Sequence, residues 1–167
     1  MISYKQSIKI LKNSKISIGN EFININKCMN RVAAENVLSK TNNPTGNNAA
    51  FDGFAINSID TKNLNKKKGK FFKIIGIVAA GDKPIKKTNQ KFQTIEIMTG
   101  GLLPKGFDTI IPIEQITFYP NRKNPKSIFV NKKVKKNLHV RFEGSDFKRN
   151  DVLIKKGTII QSSHILA

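Results

Sequence analysis

Carboxylates are scarce in this chain, which sets 11 Asp and Glu against 30 Lys and Arg. Asp52 stands in "NNAAFDGFAINS" (47–58), a nearly charge-free run, with Phe51 before it and Gly53 after it. Beside a glycine, a carboxylate reaches into a cleft without steric obstruction. Ala49, Ala50, Phe51, Phe54 and Ala55 would bury it. The competing reading is a hairpin turn, for which Asp-Gly is the strongest short signal, though such turns usually have polar flanks. Thr99-Gly100-Gly101 follows the apolar run "IEIM". Backbone N–H groups of a Gly-rich turn, with a threonine hydroxyl, can hold an oxyanion or phosphate, but Thr-Gly-Gly is common. Arg141 and Asp146 flank Glu143 and Gly144 in "HVRFEGSDF". Arginine offers a bidentate fork to phosphate or carboxylate. The plain alternative is an exposed ion pair worth little. "IVAAGDKP" (77–84) runs from apolar residues into small ones and reads as an ordinary strand-end turn or a place of close approach. His139 and His164 are read as surface or structural residues, and the single cysteine, Cys28, as a core filler.

The elements that must carry these residues are mostly β. Ser3 can cap a helix with Tyr4, Ile8 and Leu11 at helical spacing. "EFININ" (21–26) reads as a short strand, and "RVAAENVL" (31–38) as a helix with an apolar face. "TNNPTGNN" (41–48) is turn chemistry. Four β-branched or aromatic runs follow at 71–81, 92–101, 108–119 and 127–134. Residues 151–161 read as strand, turn at Lys156-Gly157, and strand. Ser162 or Ser163 would cap a helix from His164, where the chain is expected to continue into a further element.

A formal charge of +19 favours anionic partners: nucleic acid, acidic membranes, phosphorylated metabolites or oxyanions. The lysines at 66–68, 86–87, 132–133 and 135–136 lie in polar loops and read as solvated faces. No Cys/His cluster offers a metal site. "MISYKQSIKILKNS" lacks a long apolar stretch, so neither a signal peptide nor a membrane span is expected, and a cytoplasmic setting is.

Taken in order, these segments resemble the N-terminal part of the molybdopterin molybdotransferase family (MoeA and the corresponding region of gephyrin). "NAAFDGFA", "IMTGGLLPKGFD" and "VRFEGSD" match its motifs, and "RVAAENVLSKTNNP" and "IVAAGDKP" fit in register. Ala49, Phe51 and Ser145 depart from its usual Ser, Met and Glu. The resemblance implies an α+β fold, mostly β. A discontinuous linker domain, 1–40 plus 147–167, would carry an inserted β-rich domain, 41–146. It implies insertion of molybdate into adenylylated molybdopterin with Mg2+, releasing AMP. Carried over by position, Asp52, Thr99, Arg141 and Asp146 become catalytic candidates. Thr99, Gly100 and Arg141 would bind the anionic substrates, and Asp52 and Asp146 the Mg2+. A homodimer is implied, with no membrane partner and no nucleic acid expected. The family's larger pterin-binding domain has no counterpart here, so the chain is expected to be a fragment inactive alone. Two other readings stand beside this one. The first is a basic nucleic-acid-binding β-module using Phe71, Phe72, Phe118, Tyr119 and Phe129 as stacking platforms. The second is a non-catalytic dimerisation scaffold.

Overall fold

A computed structural model describes residues 2–14, 18–83 and 90–166. Pro84 of the "IVAAGDKP" segment and the Lys86, Lys87 pair lie outside them. Two compact units result, one built from the chain up to Leu38 and from Val152 onward, the other from Ser39–Asp151.

In the terminal unit, α1 (Tyr4–Asn13) starts at a capping box. The Gln6 amide donates to Ser3 Oγ (3.3 Å) and the Ser3 amide to Gln6 Oε1 (2.8 Å), satisfying two otherwise orphaned donors. Residues 31–38 do not form the expected helix. Val32 bridges Ile159, and β1 (Val37–Leu38) pairs antiparallel with β10 (Val152–Ile154). Helix propensity is a weak preference, and β-branched residues at 32, 37, 154 and 159 suit pairing instead. "EFININ" is likewise not a strand; it runs into a 3-10 turn at Ile25–Lys27, capped by the Asn24 side chain on the Asn26 amide (3.0 Å). Cys28 is half-buried, not a core residue. α2 (Ser162–Leu166) begins two residues before the expected start. Its His164 is structural: Nδ1 accepts from the Gln161 amide at 3.0 Å.

The second unit also contains β2 (Asn48–Ala49) and β9 (Val140–Arg141), which pair with each other. Its main body is a six-stranded sheet. The strands are β3 (Gly53–Ile56), β4 (Lys70–Val78), β5 (Gln93–Ile97), β6 (Thr109–Pro112), β7 (Thr117–Tyr119) and β8 (Ser127–Val130). Their order is β6-β3-β5-β4-β8-β7. Only β4 and β5 run parallel; the other neighbours are antiparallel.

Residues 108–119 do not make one strand. Pro112, which cannot donate a ladder hydrogen bond, ends β6, and a 3-10 turn at Ile113–Gln115 leads to β7. β6 and β7 are the two ends of the sheet order, yet few residues join them. Five residue steps reach at most about 18 Å, whereas six flat strands put the outer two about 24 Å apart. The sheet therefore curls until its ends approach. β3 is buried at all four positions. Its alternation sends Phe54 and Ile56 into a core with Leu64, Phe72, Ile111 and Ile128, and Ala55 into a second with Ala49, Val78, Ile95 and Ile110.

Candidate functional site

Two of the expected site segments flank a third. Asn48 pairs with Arg141 on one side and bridges Leu102 on the other. The Ala49 amide donates to Gly101 O and the Gly100 amide to Ala49 O, both at 2.9 Å. The Ala50 amide donates to His139 O at 3.0 Å. Small side chains permit this sandwich: Ala49 is buried, and a Cβ on Gly101 would come within 2.9 Å of Met98 O. Residues 47–50 thus fasten the Thr99 turn and the Arg141 strand to one short strand.

Asp52 leaves that strand in a fixed pose. Its Oδ1 accepts from both the Thr99 amide and the Thr99 hydroxyl, each at 2.7 Å. Its carbonyl accepts from the Ile113 amide (3.0 Å). Contrary to the sequence reading, Asp52 is exposed, although Gly53 beside it is buried. Nor is Asp-Gly a hairpin turn here. Gly53 opens β3, paired on both sides, and a Cβ on it would lie 2.1 Å from Ile111 O. Glycine is required because the β6 backbone passes so close. The Thr99 amide foremost, then its hydroxyl, holds the Asp52 carboxyl below its ordinary value, against a smaller opposing effect of burial. Asp52 is therefore a persistent anion and a weak proton acceptor at neutral pH.

The Gly-rich turn is not an open anion cradle. The amides of Thr99, Gly100 and Gly101 bond Asp52, Ala49 O and Met98 O respectively. The segment after β4 lies beside it: Val78 O accepts from the Met98 amide, and Asp82 Oδ2 closes a turn onto the Ala79 amide (2.7 Å).

The second pair is Arg141 and Asp146. Arg141 Nη2 donates to Asp146 Oδ1 (2.8 Å) and Oδ2 (2.7 Å), with both side chains nearly half exposed. The Asp146 amide donates to Asn43 O and the Gly144 amide to Pro44 O, both at 3.0 Å, so this loop rests on the 43–44 turn. Among the described residues no hydrogen bond joins the Asp52–Thr99 pair to the Arg141–Asp146 pair; they share only the strand between them. Two features were passed over in the sequence. Asn48 is buried, with an Oδ1 that has no partner among the described residues. His139 sets its ring edge-on to Phe51, centroids 4.8 Å apart, one residue from Asp52. Asn48 does lie inside a matched motif; nothing local marked the ring pair.

The fold that carries this site has counterparts among proteins of molybdopterin biosynthesis. A molybdopterin biosynthesis moeA protein from Pyrococcus horikoshii OT3 superposes with a TM-score of 0.87 at 26% identity, over 99% of this chain and 42% of that one. Another structure of a molybdopterin biosynthesis moeA protein from Pyrococcus horikoshii gives 0.82 at 29% identity, over 99% and 41%. The molybdopterin molybdenumtransferase of Staphylococcus epidermidis (strain ATCC 35984) is 29% identical over 164 residues, 98% of this chain and 38% of that protein. That of Staphylococcus aureus (strain Mu50) is 27% identical over the same shares. This chain thus spans about two fifths of the length of these curated relatives. Residues 2–167 match the family described as MoeA N-terminal region (domain I and II), and the chain belongs to that family.

Proposed function

We propose that this chain supplies the domain I and II portion of a molybdopterin molybdenumtransferase and helps insert molybdate into adenylylated molybdopterin. The observation that carries this is Asp52, held by both Thr99 donors through one oxygen while Oδ2 accepts no hydrogen bond among the described residues. Thr99 is a positioning residue. Asp52 presents a fixed negative charge at an exposed point, between the exposed Phe51 and the buried Gly53. Arg141 gives only Nη2 to Asp146, so Nε and Nη1, which lie on different edges of the guanidinium, remain to donate single charge-assisted hydrogen bonds to phosphate or carboxylate oxygens. Gly100 shapes the turn through its left-handed φ of +81° and gives its amide to Ala49 O, so its part is to hold Thr99 in place.

Among the described residues no group of three or more His, Cys, Asp or Glu could hold a metal ion. Both Asp146 oxygens face Arg141, so of the two acidic candidates Asp52 is the one that fits. Mg2+ commonly binds one or two carboxylates plus substrate phosphates, and Asp52 would hold it in that way. Once bound, the ion would neutralise phosphate charge as the phosphoanhydride is cleaved. A homodimer belongs to the same proposal, supported by exposed Tyr4, Leu11, Ile18 and Phe22 in the terminal unit. So does a cytoplasmic setting; no helix among the described residues is long and apolar enough to cross a membrane.

The test is AMP release and cofactor formation from adenylylated molybdopterin and molybdate. It compares this chain alone with the chain fused to the remaining region of the Staphylococcus epidermidis relative. The fusion is expected to turn over and the chain alone is not. An inactive, folded fusion would overturn the assignment, and turnover by the chain alone would overturn its dependence on a further region.

A further inference from the structure

We propose that the outer face of β4, β8 and β7 binds single-stranded nucleic acid, a second activity that does not depend on the transferase assignment. Strand alternation divides the aromatic residues of this end of the sheet. Phe72 is fully buried, and Phe118 packs edge-on against Phe54 in the core. Phe71, Phe129 and Tyr119 point the other way. Phe71 is paired with Phe129 across the strands, and Tyr119 sits one strand further out, on the sheet edge. Their rings form one cluster: centroids of Phe71 lie 5.1 Å from Phe129 and 5.2 Å from Tyr119. Phe71 is 52% exposed and Tyr119 57%.

None of these three outward rings packs into the core; they lie on a face where polar residues are the usual occupants, and the Phe71–Phe129 pair also steadies the two strands. The backbone is shaped around them. A Cβ on Gly69 would lie 2.1 Å from Phe129 Cζ, so the Phe129 ring lies down over the glycine. Charge sets the class of ligand. Residues 62–78 and 116–133, which carry the rings, contain no Asp or Glu, only basic residues such as Lys66, Lys67, Lys68, Lys73, Lys123 and Lys126. Lys73 faces out in the row next to Phe71, paired with Ser127. Exposed rings beside cations suit a ligand with both π-faces and phosphates. Stacking on aromatic side chains and salt-sensitive phosphate contacts together recognise unpaired nucleotides. A bare polyanion would make no use of the rings.

Anisotropy of fluorescein-labelled 12-nucleotide oligo(U) and oligo(dT) with this chain tests it, against a duplex of equal length and inorganic polyphosphate as competitor. Single strands should bind at micromolar levels or tighter near 0.1 M salt, and better than the duplex. Phe71→Ser or Tyr119→Ser should weaken binding by roughly 5- to 100-fold. Phe71→Leu, which keeps apolar bulk and guards against misfolding, should lose as much. Lys73→Gln should lower the slope of log affinity against log salt by about one. No binding at 100-fold higher protein than the expected micromolar range would overturn the proposal. So would ring variants that bind like the parent, or polyphosphate and duplex that match the single strands.

Discussion

Gly53→Ala probes the packing that fixes Asp52. The new Cβ would stand 2.1 Å from Ile111 O, 2.9 Å from Ile111 C and 3.0 Å from Pro112 Cα. All three are backbone atoms, so no side chain can rotate away. Gly53 is also paired with Ile97 on its other side, which prevents β3 from simply retreating. Relief needs β6 to shift by about 1 Å, and overpacking of this kind costs roughly 1–3 kcal/mol. Against that, Gly to Ala lowers unfolded-chain entropy by about 0.4–1 kcal/mol equivalent. With backbone on both sides the upper end applies, giving a net loss of about 2 kcal/mol. At a urea slope of about 2 kcal/mol/M, the midpoint should fall by about 1 M. Equilibrium urea unfolding followed by circular dichroism measures this. A change within about 0.5 kcal/mol, or a gain, would refute the close approach of β6 as the reason for glycine.

Three further outcomes follow from the same packing. Phe54→Ala, which empties a fully buried ring position in the core beside the site, should cost about 3–5 kcal/mol by the same assay. Thr99→Val removes the hydroxyl donor and keeps the amide, so the Asp52 titration midpoint, read by carboxyl-carbon NMR, should rise toward the ordinary aspartate value; Thr99→Ser should not move it. Because the folded-state value of Asp52 is lowered, its stabilising contribution is complete above the unfolded-state value and lost as pH falls through the folded-state one. Asp52→Asn should therefore flatten part of the acid limb of the stability–pH curve. A limb identical to the parent's would contradict that bond.

The long strands were legible because their apolar residues are β-branched, aromatic and bounded by turn residues, as at 71–78 and 93–97. Residues 31–38 misled because local propensity favours a helix while Ile154 and Ile159, more than a hundred positions away, supply strand partners. The run at 108–119 hid its break because Pro112 sits among strand-forming residues on both sides. At the site, the types of Asp52, Thr99, Arg141 and Asp146 marked the segments, and the order of motifs marked the family. Hydrogen-bond assignment was not legible. Spacing alone could not show that the Thr-Gly-Gly amides face Asp52, Ala49 O and Met98 O, leaving no open cradle. Nor could it show that Asp146 turns both oxygens to Arg141. Each depends on strand pairing between distant segments. The Phe71, Tyr119 and Phe129 cluster needed the register between β4, β8 and β7 before its outward face could be told from the buried one.

The most direct test of a fixed, ionised Asp52 as the working carboxylate is the turnover number for AMP release by the fusion protein carrying Asp52→Asn, beside Thr99→Ser and the parent. A loss of about 100-fold or more with Asp52→Asn, and near-parental turnover with Thr99→Ser, is the result predicted. Parental turnover from a folded Asp52→Asn protein would contradict it.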